Sequence, residues 1–220
     1  MDRFAVILGS TRPNRRGEPV ARWVLEISSQ REDAEFELVD LRDYPLPHLD
    51  EPLPPRLRQY HNEHTKAWSE TIASFDGFVV VTPEYNSGAA GVLKNALDYL
   101  FEEWRNKAIG FVSYGSMGGA RAVQQLRLVA AELEMADVRE QVALSLFTDF
   151  DADESFMPNE HHIGALTTML DQVISWSAVL ASLRAPQAAG AGLNVAEKRF
   201  ESIDGGLIEE HLPGFFKRAR

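Results

Sequence analysis

Residues 77–104 read GFVVVTPEYNSGAAGVLKNALDYLFEEW. Gly77–Thr82 is a short, continuous run of apolar and β-branched residues, the pattern of a strand buried on both faces. Pro83–Gly88 interrupts it with proline, asparagine, serine and glycine, which are turn residues. From Gly88 to Trp104 the apolar positions Val92, Leu93, Ala96, Leu97, Leu100, Phe101 and Trp104 follow the 3.6-residue period of a helix. A buried strand, a tight turn and an amphipathic helix form half of a βαβ unit.

The same alternation extends in both directions. Upstream, Phe4–Leu8 reads as a buried strand. Gly17–Ser29 reads as a helix with Pro19 in its first turn and Val20, Trp23, Val24 and Ile27 along one stripe. Phe36–Val39 is a second strand, Asp43–Pro55 is a proline-studded loop, and Arg56–Phe75 is a helix that buries Trp68, Ile72 and Phe75. Downstream, Ala108–Ser113 and Val138–Leu146 read as strands, and Gly119–Glu134 and Ile163–Leu183 as helices. Five alternations predict an α/β protein with a doubly wound, five-stranded parallel sheet, order 2-1-3-4-5, and helices on both faces. The count disfavours a six-stranded dinucleotide-binding sheet. No internal repeat is visible. Beyond Arg184, Ala185–Leu193 reads as a linker of small residues, and Asn194–Arg220 as either a packed arm or a frayed tail. Residues 1–184 are therefore expected to form one domain and 185–220 an appendage.

Composition narrows the chemistry. The 220 residues include no cysteine, which excludes disulfides, thiolate metal sites and cysteine nucleophiles. Redox work would need a bound cofactor. A formal net charge of −11 disfavours nucleic acid and anionic membrane as partners. No apolar run reads as membrane-spanning, and the strand-like N-terminus leaves no leader, so the expected location is cytoplasmic.

In a sheet of this order, ligands sit outside the carboxyl ends of the strands, between strands 1 and 3. Three loops meet that edge. The first, Gly9–Gly17, reads GSTRPNRRG and offers the Ser10 and Thr11 hydroxyls, the guanidinium groups of Arg12, Arg15 and Arg16, the amide of Asn14, and a helix N-terminus beginning at Gly17. Forked guanidinium donors and free helix N–H groups suit a phosphate. A solvated polar turn is the plainer alternative. The loop matches neither GxxxxGK[ST] nor GxGxxG. The second, Pro83–Gly88, can use Asn86 and Gly88 in left-handed conformations to aim backbone groups at the edge of a flat heterocycle, with Tyr85 flanking or stacking. Its alternative is an ordinary turn capped by Ser87. The third, YGSMGGA after the fourth strand, removes side chains at Gly115, Gly118 and Gly119 and offers the Ser116 hydroxyl. A plain flexible turn would look the same.

Together these loops resemble the NADPH-dependent FMN reductase family, whose fold is flavodoxin-like. The resemblance rests on Gly9-Ser10-Thr11-Arg12, on Pro83-Glu84-Tyr85-Asn86-Ser87-Gly88 followed by Leu93-Lys94-Asn95-Ala96-Leu97-Asp98, and on Gly115-Ser116-Met117-Gly118-Gly119. It spans about residues 3–183. It implies FMN as cofactor, NADPH or NADH as electron donor, a small-molecule acceptor such as a free flavin, quinone or azo compound, and a homodimer or homotetramer. Carried over by position, Ser10, Arg12 and the loop through Asn14, Arg15, Arg16 and Gly17 would hold the phosphate. Pro83, Glu84, Tyr85, Asn86 and Ser87 would line the ring, and Gly115, Ser116, Gly118 and Gly119 would close its other side. Many members place a second serine where this chain has Asn14, Arg15 and Arg16. No acid or base is required for hydride transfer, so no catalytic side chain is named.

Two rivals remain open. A flavodoxin-like electron carrier would share the fold, although Arg12 argues against it. A histidine metal site would use His61 and His64 on one helix face, or His161 and His162; the ligand spacing of known metal motifs is missing. Tyr99, Phe101 and Trp104 crowd one helix end, which suggests an oligomer contact or ordinary core. Glu102 and Glu103 read as a solvated run.

Overall fold

The computed structural model describes residues 1–153 and 155–184. Its strands are β1 (Asp2–Leu8), β2 (Ala34–Asp40), β3 (Gly77–Tyr85), β4 (Gly88–Ala89), β5 (Ala108–Gly115) and β6 (Ala136–Ser145). Its helices are α1 (Gly17–Ser28), α2 (Glu63–Ala73), α3 (Gly91–Asp98), α4 (Ala120–Glu132) and α5 (Glu160–Arg184). The parallel strands lie in the order β2-β1-β3-β5-β6, and β4 pairs only with β3, antiparallel. Apart from that two-residue strand, this is the expected 2-1-3-4-5 sheet.

The sheet is buried on both faces because its strands are apolar at successive positions, and side chains alternate between faces. Ala5, Ile7, Phe78, Val80, Ile109 and Phe111 meet α2, α3 and α4 on one side, around the fully buried Trp68 and Trp104. Phe4, Val6, Leu8, Val79, Val81 and Val112 meet α1 and α5 on the other. The register is Phe4 opposite Phe36 and Gly77, and Pro83 opposite Tyr114. It brings the ends of β1, β3 and β5 to one edge. A Cβ at Gly77 would stand 2.8 Å from the Phe4 ring and 2.9 Å from the Ala108 carbonyl, so glycine is required at that crossing.

Several expectations need correction. The helix expected over residues 88–104 is only α3. Gly88 and Ala89 belong to a hairpin, and the chain turns after Asp98 so that Trp104 Nε1 donates to the Leu97 carbonyl at 3.1 Å. Tyr99, Phe101 and Trp104 are all buried in the α2–α3 core, which selects the ordinary-core reading over the oligomer contact. Glu103 is not solvated: it is buried, and accepts from Ser69 Oγ at 2.7 Å and Tyr60 Oη at 2.9 Å. The helix expected from Arg56 starts at Glu63, so His61 precedes α2 and shares no helix face with His64. Among the described residues, no group of three His, Asp or Glu side chains is placed to hold a metal.

By length and composition, α5 is apolar enough to cross a membrane, contrary to the sequence reading. Here it covers the sheet, burying Leu166, Met169, Leu170 and Val173. Its end is fixed by Arg184 Nη2 donating to Asp76 Oδ1 at 3.1 Å. The expected linker and arm over 185–220 lie outside the described residues.

Candidate functional site

β1 hands over to the first loop through a ladder bond, Gly9 N–H to the Val81 carbonyl at 2.8 Å. Ser10 is buried, and its Oγ lies 3.0 Å from Tyr85 Oη, which links the first loop to the second. Asn14 takes a left-handed conformation with φ of 54°. The three arginines divide. Arg12 is exposed. Arg16 lies with its guanidinium 5.2 Å from the Phe150 ring centre. The Arg15 side chain is 2% exposed and turns inward, where Nη1 donates to the Ser10 carbonyl and to Asp40 Oδ1, both at 2.6 Å. Its second nitrogen pairs with Asp40 Oδ2. Burial favours a neutral Asp40 carboxyl, but Arg15 and the Arg42 N–H outweigh it and hold the carboxyl below its usual range. Arg42 Nη2 donates to the Arg12 carbonyl at 2.6 Å. Two loop carbonyls are thus drawn toward the end of β2. Arg15, expected as a phosphate contact, has its Nη groups committed to bracing.

The second loop is a hairpin. Asn86 and Ser87 have φ of 50° and 66°, and both central residues of a type I′ turn need such values. Tyr85 pairs with Gly88, and Glu84 with Ala89. Ser87, not Gly88, is therefore the second left-handed residue, and Ser87 caps no helix; the N-cap of α3 is Ala90. Tyr85, Asn86 and Ser87 are exposed and Pro83 is buried. Gln125 on α4 steadies the turn, accepting from Ala89 N–H at 3.2 Å and donating to the Ser87 carbonyl at 3.3 Å.

Glu84 turns away from the hairpin toward α4. Its Oε2 accepts from Arg121 N–H at 2.9 Å and Ala122 N–H at 3.4 Å, and its Oε1 from Arg121 Nε at 2.7 Å. α4 has no other side-chain cap, since its N-cap is Gly119. Glu84 supplies that cap from another element, meeting the free N–H groups and the dipole at once. Its burial opposes ionisation, yet these donors hold its carboxyl below the usual value.

In the third loop, Gly118 and Gly119 have φ of 66° and 75°. A Cβ on Gly119 would lie 2.6 Å from the Ser113 Cβ, and one on Gly115 3.1 Å from the Glu84 Cβ. Ser116 is exposed.

A cleft of about 250 Å³ opens between these parts, lined by Arg12, Asn14, Arg15, Arg16, Pro83, Glu84, Tyr85, Tyr114 and Leu146. The first two loops meet there as expected, with Ser10 joined through Tyr85. Asn86, Ser87, Ser116, Gly118 and Gly119 do not line it; Gly115 borders it through Glu84 and through its carbonyl, which accepts from Leu146 N–H at 3.1 Å. The sequence reading missed Asp40, Arg42, Tyr114 and Leu146. Tyr114 and Leu146 each stand at the carboxyl end of a strand, a position that could have singled them out.

Among the described residues, two buried polar atoms on residues that line the cleft lack hydrogen-bond partners, Arg15 Nε and Tyr114 Oη. Both are donors short of an acceptor. An anion could satisfy such donors, and the flanking Pro83 and Tyr85 offer a flat apolar wall. The site therefore fits a phosphorylated planar ligand, and FMN is one.

The model of the NADPH-dependent FMN reductase family matches residues 3–149, a span that contains all three loops. The chain belongs to this family. It is 44% identical over 149 residues to an NAD(P)H-dependent FMN reductase of Schizosaccharomyces pombe, covering 67% of this chain and 74% of that one. It is 33% identical over 142 residues to a 2-hydroxy-1,4-benzoquinone reductase of Burkholderia sp, covering 60% and 75%. Among solved structures, a flavoenzyme NAD(P)H:(acceptor) oxidoreductase from Paracoccus denitrificans superposes with a TM-score of 0.65 at 21% identity, over 81% of this chain and 98% of that one. The last likeness shows the shared flavodoxin-like fold. Like its family, this FMN reductase is an oxidoreductase that uses FMN and a reduced nicotinamide nucleotide.

Proposed function

We propose that this FMN reductase holds its cofactor in the cleft between Ser10–Gly17 and Pro83–Ser87, and passes electrons from NAD(P)H to a small quinone-like acceptor. The observation that carries the site is the pair of unpartnered buried donors, Arg15 Nε and Tyr114 Oη, in a cleft that also presents Arg12 and Arg16. Bound FMN supplies the redox chemistry, since its ring accepts a hydride and releases electrons. The chain's own part is binding, orientation and access.

Arg12 and the Ser10 hydroxyl hold the phosphate, and the N–H groups at the start of α1 add their dipole. The Arg15–Asp40 pair keeps the loop in shape. Pro83 and Tyr85 would set the plane of the ring, and the backbone of Asn86 and Ser87, outside the cleft itself, would be reached only by a ring edge that extends past Tyr85. Glu84 ties that hairpin to α4, so the ring wall moves with the third loop. Met117 and Phe147 are 67% and 78% exposed on neighbouring loops and leave an apolar approach for a flat acceptor. The same reading includes a cytoplasmic location and a homodimer or homotetramer. Exposed Trp176, Val179 and Leu183, spaced i, i+3 and i+7 on α5, support association.

The test is direct. The purified chain should carry or take up FMN, with absorption near the visible flavin bands, and oxidise NADPH or NADH when a benzoquinone is added. Flavin uptake without nicotinamide turnover would instead indicate an electron carrier. A chain that takes up no flavin would refute the assignment.

A further inference from the structure

Tyr114 helps to mark the cleft, but its hydroxyl has so far been given no contact of its own. It stands one residue from the end of β5, paired with Pro83 of β3 and Leu144 of β6. The residue is 5% exposed, and its ring packs 6.5 Å from that of Phe150, which lies beneath the Arg16 guanidinium. Its hydroxyl reaches the first residue of α1: a Cβ on Gly17 would stand 2.7 Å from that oxygen. Glycine at 17 is thus what lets the hydroxyl in.

Once there, the oxygen faces the Gly17 N–H and the Ser10 hydroxyl, and its own proton meets no acceptor among the described residues. A buried hydroxyl whose proton has no acceptor is a cost to the fold, and a phenylalanine would fill the same space without that penalty. The polar groups beside it are the Ser10 hydroxyl, the Gly17 N–H, the Tyr85 phenol and the Arg15 guanidinium. All of these can donate, and no carboxylate is among them. Donors that converge on the N-terminus of a twelve-residue helix describe an anion site seen from its protein side.

Resting on the assignment of the cleft to FMN, we propose that the Tyr114 hydroxyl donates to the flavin phosphate, and that it joins Arg12 and Ser10 in distinguishing the phosphorylated flavin from riboflavin. Burial, with the nearby Tyr85 phenol, pushes the Tyr114 hydroxyl well above its ordinary titration range, so it remains a donor at any physiological pH. A hydrogen bond to a charged acceptor in a buried site is lost at a cost of roughly 10- to 100-fold in affinity.

The experiment compares the 220-residue chain with its Tyr114→Phe variant after removal of flavin. Each is titrated with FMN and with riboflavin, and binding is read from flavin fluorescence. FMN should bind Tyr114→Phe roughly 10- to 100-fold more weakly, with riboflavin affinity unchanged. The flavin-free variant should melt no lower than the flavin-free wild type, because the hydroxyl removed carries a proton without an acceptor. Unchanged FMN affinity would overturn the proposal, as would equal weakening of both flavins or a lowered melting point. A wild type that binds neither flavin would overturn the assignment of the cleft as well; one that binds FMN with no selective loss in the variant overturns only the role of Tyr114.

Discussion

At the scale of single residues, the cation-rich first loop shows how far a sequence can be read. Three arginines in five positions mark an anion site, and that is visible in GSTRPNRRG. Their division of labour is not, because Arg15 is turned inward by Asp40, which lies 25 residues further on. The pair has a measurable signature. Asp40→Asn leaves a nearly buried guanidinium without its main counter-charge, although Glu18 remains 3.5 Å away. The expected loss is about 3 kcal/mol at pH 7, read from urea unfolding. Because Asp40 is held below its unfolded value, its contribution is complete above about pH 4 and fades as pH falls through the folded value. The gap between wild type and Asp40→Asn should therefore narrow in acid. A gap that stays constant to pH 3 would place the effect elsewhere.

Among elements, existence was easier to read than extent. The alternation of period-two and period-3.6 segments located every parallel strand and every long helix among the described residues. It could not show that Asn86 and Ser87 close a hairpin before α3 begins, since both strand and helix readings accept PEYNSGAA. Nor could it show that Glu84, apparently a ring-lining residue, serves as the cap of α4. That role separates two substitutions. Glu84→Ala removes a nearly buried cap and should lower unfolding stability by about 1–2 kcal/mol. Arg121→Ala removes only the half-exposed partner and should stay within about 0.5 kcal/mol. Equal losses in a denaturant series would show that the ion pair, and not the capping of α4, carries the effect.

Across the whole molecule, the doubly wound sheet was legible because its strands are apolar on both faces, which only helices on both sides can cover. Of the two readings open for Tyr99, Phe101 and Trp104, the structure selects ordinary core, and an exposed apolar stripe lies on α5 instead. If that stripe joins two copies, Trp176→Lys with Val179→Lys should shift the sedimentation of the native protein toward the monomer while leaving its far-UV spectrum unchanged. An unaltered sedimentation profile would free α5 of that role. The Ser10–Tyr85 contact has a further consequence. It joins residues 75 positions apart, the loop after β1 and the end of β3, which meet only when β1 has docked beside β3. Contacts of such long separation form late in folding, after the loop-closure entropy has been met. A chain refolding in the presence of FMN should regain helical signal before it quenches the flavin, so the cofactor becomes a clock for the last steps of folding.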